Sequence, residues 1–379
     1  MGDVQFRSFF LGGFECSTHR LRNGKRLDLL EATRHAEFVQ ADYRRLQEQG
    51  IYSARSGIRW HLIETAPYRY DFSSALPMVR AARDSGMQVI WDLCHYGWPD
   101  GLDIFRPEFV DRFAAMAQAF AELLRNEGND APLLTPINEI SFFSWAAGEV
   151  EYMNPFARGR GLELKTQLVR AAITGMEAIW EVAPKAQFIH AEPLIWIVPH
   201  PERPQERHAA EAYSNAQFQA LDMLIGREWP QLGGAEKYVG HIGLNYYPTN
   251  QWIHHGRRLK RTDPSYRPLR ELLADVHHRY GRRLLISETG TEGKERPEWL
   301  QYVAEEVGAA RLAGVPVDGI CLYPILNHPG WDDERHCPNG LWDYADDAGE
   351  RELYTPLAEE LQRRQEHFER PEPVLVPAR

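Results

Sequence analysis

The stretch LLISETGTEG, residues 284–293, decides how this chain folds and raises the first question about its chemistry. Its first three residues are apolar and glycines at 290 and 293 follow closely, which is typical of a short strand covered on both faces. Glu288 lies at the tip of that strand. A carboxylate in such a place costs free energy unless it faces a polar cavity, so the stretch predicts a buried strand that ends at a functional site.

Short apolar runs like this one alternate along the chain with longer segments of helical periodicity. The runs cover residues 9–16, 53–63, 87–94, 133–139, 186–198, 239–248, 284–288 and 317–326. One helical segment begins behind Pro107, with apolar residues at three- and four-residue steps from Phe109 to Leu124, and another extends from Glu163 to Val182. About eight strand–helix units imply parallel strands, and eight such strands close into a (β/α)8 TIM barrel.

A doubly wound open sheet is the structural alternative. Such a sheet normally carries a glycine-rich phosphate turn between its first strand and first helix. Gly12 and Gly13 lie inside the first apolar run instead of opening a helix, so the barrel is favoured. No linker rich in Pro, Gly or Ser divides the units, and we therefore expect residues 1–379 to form a single (β/α)8 domain.

The composition of the chain limits which binding partners and which cellular compartment we expect. An apolar content of 43% and a charged content of 26% are those of a globular protein, and a net charge of −11 argues against a nucleic acid as the main partner. No segment reaches the roughly 18 apolar residues of a membrane span, and MGDVQFRSFF lacks the basic and apolar regions of a secretory leader. The four cysteines show no C-x-x-C spacing. These features predict free thiols and a cytoplasmic protein; the oligomeric state stays open.

In a barrel the carboxyl ends of the strands meet at one face, so the residues in and after the apolar runs can be considered as one site. They are Glu15, His19, Arg55, Arg59, His95, Tyr96, Trp98, Asn138, Glu139, Glu192, Asn245, Tyr246, Tyr247, Glu288, Tyr323, Asn327 and Trp331. The set is rich in carboxylates, amides and aromatic rings. It contains no cluster with the spacing of a metal site, so we expect neither a metal nor a cofactor.

Two of these carboxylates, Glu139 after the fourth run and Glu288 at the end of the seventh, lie nearly opposite each other in a barrel. Such a pair suits glycoside hydrolysis, in which one carboxyl protonates the leaving oxygen and the other attacks the sugar or activates water. A neighbouring arginine would keep one carboxyl ionised, while a drier setting would keep the other protonated.

Six segments also carry a resemblance to a known family. They are FFLGGFECS (9–17), RSGIRW (55–60), DLCHYGWPDGL (92–102), TPINEI (135–140), IGLNYY (242–247) and ISETG (286–290). In this order they resemble the motifs of glycoside hydrolase family 1, the retaining β-glucosidase-like enzymes with a (β/α)8 barrel. The resemblance spans almost the whole chain, which is shorter than typical members.

The resemblance implies roles for individual residues. Glu139 corresponds to the family's acid/base and Glu288 to its nucleophile, while Asn138 corresponds to the residue that holds the sugar 2-hydroxyl. The further substrate-binding residues that it implies are Arg55, His95, Tyr247 and Trp331, of which Arg55 and Tyr247 would lie beside the nucleophile. The implied activity is that of an exo-acting β-glycosidase on a small carbohydrate or glycoside, by way of a covalent glycosyl-enzyme intermediate.

The chain also departs from the family pattern. Arg20 stands near the place of a sugar-binding Gln, Tyr96 in place of a Trp, and Ile140 in place of the Pro after the acid/base. Gly330 stands where the family has the Glu that holds the sugar's 4- and 6-hydroxyls, although Trp331 is retained. Loss of a bidentate acceptor lowers affinity for a hydroxyl-bearing sugar, so we expect an atypical glycone pocket.

Three alternatives stay open. The same intermediate could pass to a sugar or alcohol, which would make the protein a transglycosylase, or the lost Glu could mark a non-catalytic sugar-binding barrel. An anionic sugar is a weaker variant, suggested by Arg20 and Arg335. For Glu192 we expect a structural ion pair. The segments His254-His255, His277-His278 and WDDERHC (331–337) fit no metal-site spacing.

Overall fold

The computed structural model describes residues 5–369. The start of the segment on which the leader prediction rests, residues 1–4, lies outside the described part, as do residues 370–379. No helix among residues 5–369 is long and apolar enough to cross a membrane.

Eight parallel strands close a barrel, which confirms the predicted (β/α)8 fold. The strands, in chain order, are β1 Phe10–Gly13, β2 Ser53–Gly57, β3 Gln88–Asp92, β4 Leu133–Thr135, β5 Gln187–Pro193, β6 His241–Asn245, β7 Arg283–Thr289 and β8 Val317–Leu322. Each strand pairs with its neighbours in sequence, and β1 pairs with both β2 and β8. All eight lie within or overlap the predicted apolar runs, since strands buried on both faces leave that signal.

Helices surround the barrel. The main ones are α1 His35–Glu48, α2 Leu76–Ser85, α3 Pro107–Asn126, α4 Gly161–Val182, α5 Gln219–Leu224, α6 Leu269–Tyr280, α7 Arg296–Leu312 and α8 Thr355–Glu369. Further helical segments are Leu29–Ala32, Trp60–Ile63, Ile140–Phe143, the π-helix Ser144–Glu149 and Arg207–Asn215. Short paired strands outside the barrel are Glu64–Ala66 with Arg69–Tyr70, Trp196–Val198 with Gln251–Ile253, His328–Pro329 with His336–Cys337, and Trp342–Ala345 with Arg351–Leu353.

The two helices predicted from periodicity are confirmed as α3 and α4. Pro107 at the start of α3 needs no intrahelical N–H partner, and the apolar face that follows it is buried. The two helices pack against each other where Gly175 of α4 meets the ring of Phe113, because a Cβ there would lie 2.7 Å from the ring. That contact lets the two helices pack closely.

A separate apolar cluster fills the inside of the barrel. Its members come from six strands and the loop after β8, and they are Leu11, Ile90, Leu133, Ile189, Leu285, Cys321 and Tyr323. Layers of this kind make a barrel a packed core with no open pore. The polar residues therefore lie at the carboxyl ends of the strands, above this packed interior.

We expect Leu285→Ala to lower the free energy of unfolding by about 3 kcal/mol, because it removes a fully buried side chain from this cluster and leaves a cavity. Urea unfolding followed by tryptophan fluorescence measures the change. Leu312→Ala, at a leucine that is 77% exposed, is the matched control and should leave the midpoint unchanged. Equal midpoints for both variants would contradict the internal position of Leu285.

Candidate active site

A cleft of about 960 Å³ lies at the carboxyl ends of the strands. Its inner part is lined by Glu15, His95, Glu139, Tyr247, Glu288 and Trp331, all of them residues from the strand ends that the sequence singled out. Glu139 and Glu288 thus face the same cavity. Asn138 and Arg55 lie just behind this lining and are buried.

Arg55 on β2 is the centre of the hydrogen-bond network beneath the cleft. Its guanidinium is only 1% exposed, and it donates to both oxygens of Asp92 at 3.0 and 2.7 Å. It also donates to Asn138 Oδ1 at 2.7 Å and to Glu288 Oε1 at 2.6 Å. The bidentate pair with Asp92 fixes the plane of the guanidinium, and that plane aims one N–H at Glu288.

Glu288 is held by donors on both oxygens. Oε1 accepts from Arg55, and Oε2 accepts from the Tyr247 hydroxyl at 2.8 Å. The register between β7 and β6 shifts between Ile286 and Glu288, where the chain departs from regular pairing. An irregularity of this kind re-aims a side chain at the end of a strand, and here it accompanies the turn of Glu288 into the cleft.

Glu139 follows β4 with a left-handed backbone, φ +45°. Its N–H donates to the Ala191 carbonyl at 2.9 Å, while its side chain accepts from Asn245 Nδ2 at 2.9 Å and from the Tyr96 hydroxyl. Tyr96 also has a positive φ, +65°. Non-glycine residues in this region cost about 1 kcal/mol or more each, so the surrounding hydrogen bonds hold a strained but defined placement of the carboxyl.

The two carboxyls differ in their partners, and this decides where the charge resides. Burial raises the pKa of Glu139, and the neutral donors Tyr96 and Asn245 offset that rise only in part. Burial also raises the pKa of Glu288, while Arg55 lowers it and Glu139 raises it. Two charges in one dry cleft repel, so the pair shares one proton near neutral pH. Arg55 contacts Glu288 directly, and we therefore assign the charge to Glu288 and the proton to Glu139.

His95 and Asn138 form the wall between the two carboxyls. His95 Nδ1 is 2.9 Å from Asp92 Oδ2, which fits a donated proton, and its Nε2 lies 3.1 Å from Asn138 Nδ2. The same Asn138 amide nitrogen donates to the Tyr96 oxygen at 3.0 Å. The predicted residues are thus joined through Asp92, a residue that the sequence reasoning did not single out although it is the first residue of the segment 92–102 that contains His95.

Trp331 follows Gly330 and lines the inner cleft. Its ring meets His19 edge-on at 4.8 Å and Tyr96 at 5.8 Å between ring centres. The outer part of the cleft is lined by Phe142, Trp145, Leu162, Tyr213 and Trp252, together with Lys165 and Glu149. These residues lie in helices and a short paired strand outside the barrel, away from the barrel strand ends, so the sequence did not indicate them.

The two arginines that suggested an anionic sugar are engaged elsewhere. Arg20 forms an ion pair with Asp100 on the surface and bonds through its backbone to Asn154. Arg335 makes a bidentate pair with Glu292 at 2.7 Å. Neither lines the cleft, so the motive for an anionic substrate is removed.

Cys16, Asp92 and His95 place their donor atoms within 4.8 Å of one another. Asp92, however, already accepts two hydrogen bonds from the Arg55 guanidinium, and burial raises the pKa of the Cys16 thiol to about 11. A divalent cation there would lie beside a guanidinium and would need a thiolate that burial disfavours. We interpret the three residues as part of the hydrogen-bond network that holds His95.

Comparison with known proteins bears on the fold. No family model matches the chain, and no curated protein sequence matches it. A beta-glucosidase from Thermotoga maritima in complex with glucoimidazole superposes with a TM-score of 0.77 at 15% identity, covering 95% of this chain and 97% of that one. The family 1 β-glucosidase structure from the same organism gives 0.76 at 15% identity, with 95% and 98% covered.

A third solved structure agrees. The AHE enzyme from Alicyclobacillus herbarius superposes with a TM-score of 0.78 at 15% identity, covering 97% of this chain and 100% of that one. At such identity the likeness concerns the fold. The fold that the resemblance to glycoside hydrolase family 1 implied is therefore confirmed.

Glu192 at the end of β5 is buried behind Glu139. Burial raises its pKa to about 7, against the hydrogen bond from the Ser141 N–H at 3.1 Å. The nearby cation Lys165 donates instead to Gln219 Oε1 at 3.0 Å, so a backbone hydrogen bond stands in place of the expected ion pair. A buried carboxyl that holds its proton to about pH 7 costs stability at higher pH, because the unfolded chain gives up that proton near pH 4.5.

We expect Glu192→Gln to stabilise the protein relative to wild type as the pH rises from 5 to 8, by about 2 kcal/mol at pH 8. Wild type has its full folding stability while Glu192 is protonated in both states, below about pH 4.5, and it loses stability as the pH rises toward 7 because the unfolded chain releases this proton first. The amide of Glu192→Gln has no proton to lose, so that variant does not share the loss. Urea unfolding at both pH values measures the difference. Glu359→Gln on the exposed face of α8 is the control; an identical offset at pH 5 and pH 8 for Glu192→Gln would contradict the assignment.

Proposed function

We propose that the chain is a retaining, exo-acting β-glycosidase, a divergent and short relative of glycoside hydrolase family 1. The observation that carries the proposal is that Glu139 and Glu288 line one cleft with unlike partners. Glu288 accepts from the Arg55 guanidinium, whereas Glu139 accepts from a hydroxyl and an amide. Acid and nucleophile need such a difference, because one must hold a proton while the other holds a charge.

In the first step Glu288 attacks the anomeric carbon and forms an ester with the sugar. The bond between that carbon and the leaving oxygen breaks, and Glu139 gives its proton to that oxygen. In the second step Glu139, now ionised, takes a proton from water, which attacks the anomeric carbon and releases Glu288. Atoms and charge balance without a cofactor.

The neighbouring side chains have matching roles in this proposal. Arg55 keeps Glu288 charged, and Tyr247 holds its second oxygen through a neutral hydroxyl that a substrate can replace. His95 lines the cleft, and Asn138, which lies just behind it, would hold the sugar 2-hydroxyl by giving up one of its hydrogen bonds to His95 and Tyr96. Trp331 offers an aromatic ring in the same inner cleft. Residues 1–379 then act as one catalytic domain, and the free buried cysteines agree with the reducing cytoplasm.

The outer part of the cleft supports a bulky apolar leaving group. Trp145 is 39% exposed and Tyr213 is 37% exposed, although both are large aromatic residues. Aromatic rings exposed within a cleft are ready to stack on a flat ligand. We therefore propose that the aglycone is aromatic or otherwise flat and apolar.

Transglycosylation is the second candidate, because the same apolar lobe could seat an acceptor alcohol and exclude water from the intermediate. Product analysis with added alcohol separates the two activities. Glycoside as the main product at millimolar acceptor would favour transfer, and free sugar as the main product would favour hydrolysis.

We expect Glu288→Ala to lower kcat on aryl β-glycosides by at least about 10⁴-fold, because it removes the nucleophile. Glu139→Ala should lower kcat by about 10²–10⁴-fold for poor leaving groups and less for good ones, because a good leaving group needs no proton. Added azide should restore turnover of Glu288→Ala as an α-glycosyl azide and of Glu139→Ala as a β-glycosyl azide. Chromogenic assay and NMR of the products measure both effects.

The control for this pair is Asp347→Asn, at an exposed carboxyl on a surface turn. It should retain wild-type kcat. Undiminished hydrolysis by Glu288→Ala would reject the proposal. A wild type that binds glycosides but turns over none would favour the non-catalytic sugar-binding barrel.

We expect Trp145→Ala to raise KM for aryl glycosides by about 5–30-fold, since stacking and burial on an aromatic ring contribute roughly 1–2 kcal/mol. KM for methyl glycosides should stay unchanged, because a methyl group does not reach the outer lobe. Trp229→Ala is the matched control: that tryptophan is 38% exposed and does not line the cleft. An equal effect of Trp145→Ala on methyl and aryl substrates would contradict the aromatic subsite.

A further inference from the structure

Glu15 is a third carboxylate in the inner cleft, and the proposed chemistry does not use it. It lies two residues past the end of β1 and lines the same cavity as Glu139 and Glu288. It is only 8% exposed. A buried carboxylate is costly without partners, so its presence in the cleft requires a reason.

One side of the Glu15 carboxylate is fixed by the protein. Oε1 accepts from the Ser17 N–H at 2.9 Å and from the Ser17 hydroxyl, and it lies 3.8 Å from His95 Nε2. Burial raises the pKa of Glu15, but the neighbouring imidazoles of His95 and His328, followed by the Ser17 hydrogen bonds, bring the pKa below its usual value. The side chain is therefore both oriented and charged.

The other oxygen is free. Glu15 Oε2 receives no hydrogen bond from any residue in the described range 5–369, whereas both oxygens of Glu139 and both of Glu288 have donors. The oxygen belongs to a cleft-lining side chain whose remaining exposure is to that cleft. A ligand in the cleft would find one ready acceptor there.

The charges around this acceptor decide which ligand suits it. The basic side chains of the inner cleft are engaged by protein partners. Arg55 has its N–H groups directed at Asp92, Asn138, Glu288 and the Ser287 carbonyl. His95 faces Asp92 at 2.9 Å through Nδ1 and Glu15 at 3.8 Å through Nε2. The inner cleft thus presents carboxylates and no uncommitted guanidinium or ammonium among the described residues, while its cations Lys165 and Arg258 line the outer part. An anionic sugar would be repelled there, whereas hydroxyl groups can donate to Glu15.

We propose that Glu15 is the sugar-selecting residue of the cleft: its free oxygen accepts from hydroxyl groups of the ring, and the substrates are glycosides of uncharged sugars, not uronides or sugar phosphates. This inference rests on the proposed glycosidase function. It supplies an acceptor in a pocket where Gly330 supplies none. Glu15 reaches the ring from the end of β1, and Gly330 lies in the loop after β8.

The test compares Glu15→Ala and Glu15→Gln with wild type on aryl β-glycosides of a neutral sugar, its monodeoxy analogues, a uronic acid and a 6-phosphorylated sugar. Glu15→Ala should lower kcat/KM on the best neutral glycoside by about 10–150-fold, the range for a hydrogen bond to a charged acceptor. In Glu15→Gln the carbonyl oxygen stays on the Ser17 donors and the amide nitrogen, which can only donate, replaces Oε2. This variant should therefore also lose kcat/KM on the neutral glycoside, and it should narrow the preference for neutral over anionic glycosides because it removes the charge. Glu359→Gln on α8 should behave as wild type.

The deoxy analogues give a readout that a purely structural role would not move. One deoxy substrate should be poor for wild type, and its penalty relative to the parent sugar should largely vanish in Glu15→Ala, since the missing hydroxyl and the missing carboxylate remove the same contact. Penalties that are equal in both proteins at every position would overturn the inference. So would a wild type that prefers the uronide or the sugar phosphate.

Binding separates this inference from the proposed function. Calorimetry measures the affinity of the free monosaccharides for wild type, Glu15→Ala and Glu15→Gln. The protein cannot cleave these ligands, so the measurement does not depend on turnover. If no glycoside is hydrolysed yet Glu15→Ala loses affinity for the neutral sugar, the function fails and the role of Glu15 stands. If glycosides are hydrolysed and Glu15→Ala binds and cleaves them as wild type does, the function stands and the role of Glu15 fails.

Discussion

The guanidinium of Arg55 is the group on which the rest of the site depends. It is buried in the barrel and joins β2 to Asp92 of β3, to Asn138 after β4 and to Glu288 of β7. A buried guanidinium that loses a partner carries an uncompensated charge, at a cost of several kcal/mol. The strand ends that present the two carboxyls are therefore constrained by the same charge that makes one of those carboxyls different from the other.

Sharing Arg55 between two carboxylates has a consequence for the proposed chemistry. Asp92 takes two hydrogen bonds from the guanidinium, and Glu288 takes one through Oε1. Among residues 5–369, Oε2 of Glu288 accepts a hydrogen bond only from the neutral hydroxyl of Tyr247. A carboxylate held this way keeps its charge, while the oxygen that would attack gives up one neutral hydrogen bond and no ion pair. This geometry suits a nucleophile better than a symmetric salt bridge would.

How much the sequence predicts differs between the fold and the site. The eight strands were predictable because burial on both faces forces apolar runs such as Leu284–Ile286, and α3 was predictable because Pro107 and a helical period mark it. Strand ends also brought together the residues that line the inner cleft. Contacts that join distant segments were not predictable in this way: nothing local in the chain shows that Asp92 holds Arg55 or that Arg20 turns away to Asp100. The outer lobe was missed because its aromatic residues lie in helices and a short strand outside the barrel, where no barrel strand end points to them.

The site divides into a part that resembles glycoside hydrolase family 1 and a part that departs from it, and a physical reason separates the two. Attack on an anomeric carbon fixes where two carboxyls must stand, so the residues around Arg55 have little freedom. A sugar hydroxyl, in contrast, accepts a partner from any direction around the ring. At Gly330 the N–H donates to the Arg335 carbonyl at 2.8 Å, and glycine offers the cleft no side-chain acceptor. An acceptor for the sugar has to come from another strand end, and the end of β1 is where a carboxylate with a free oxygen stands.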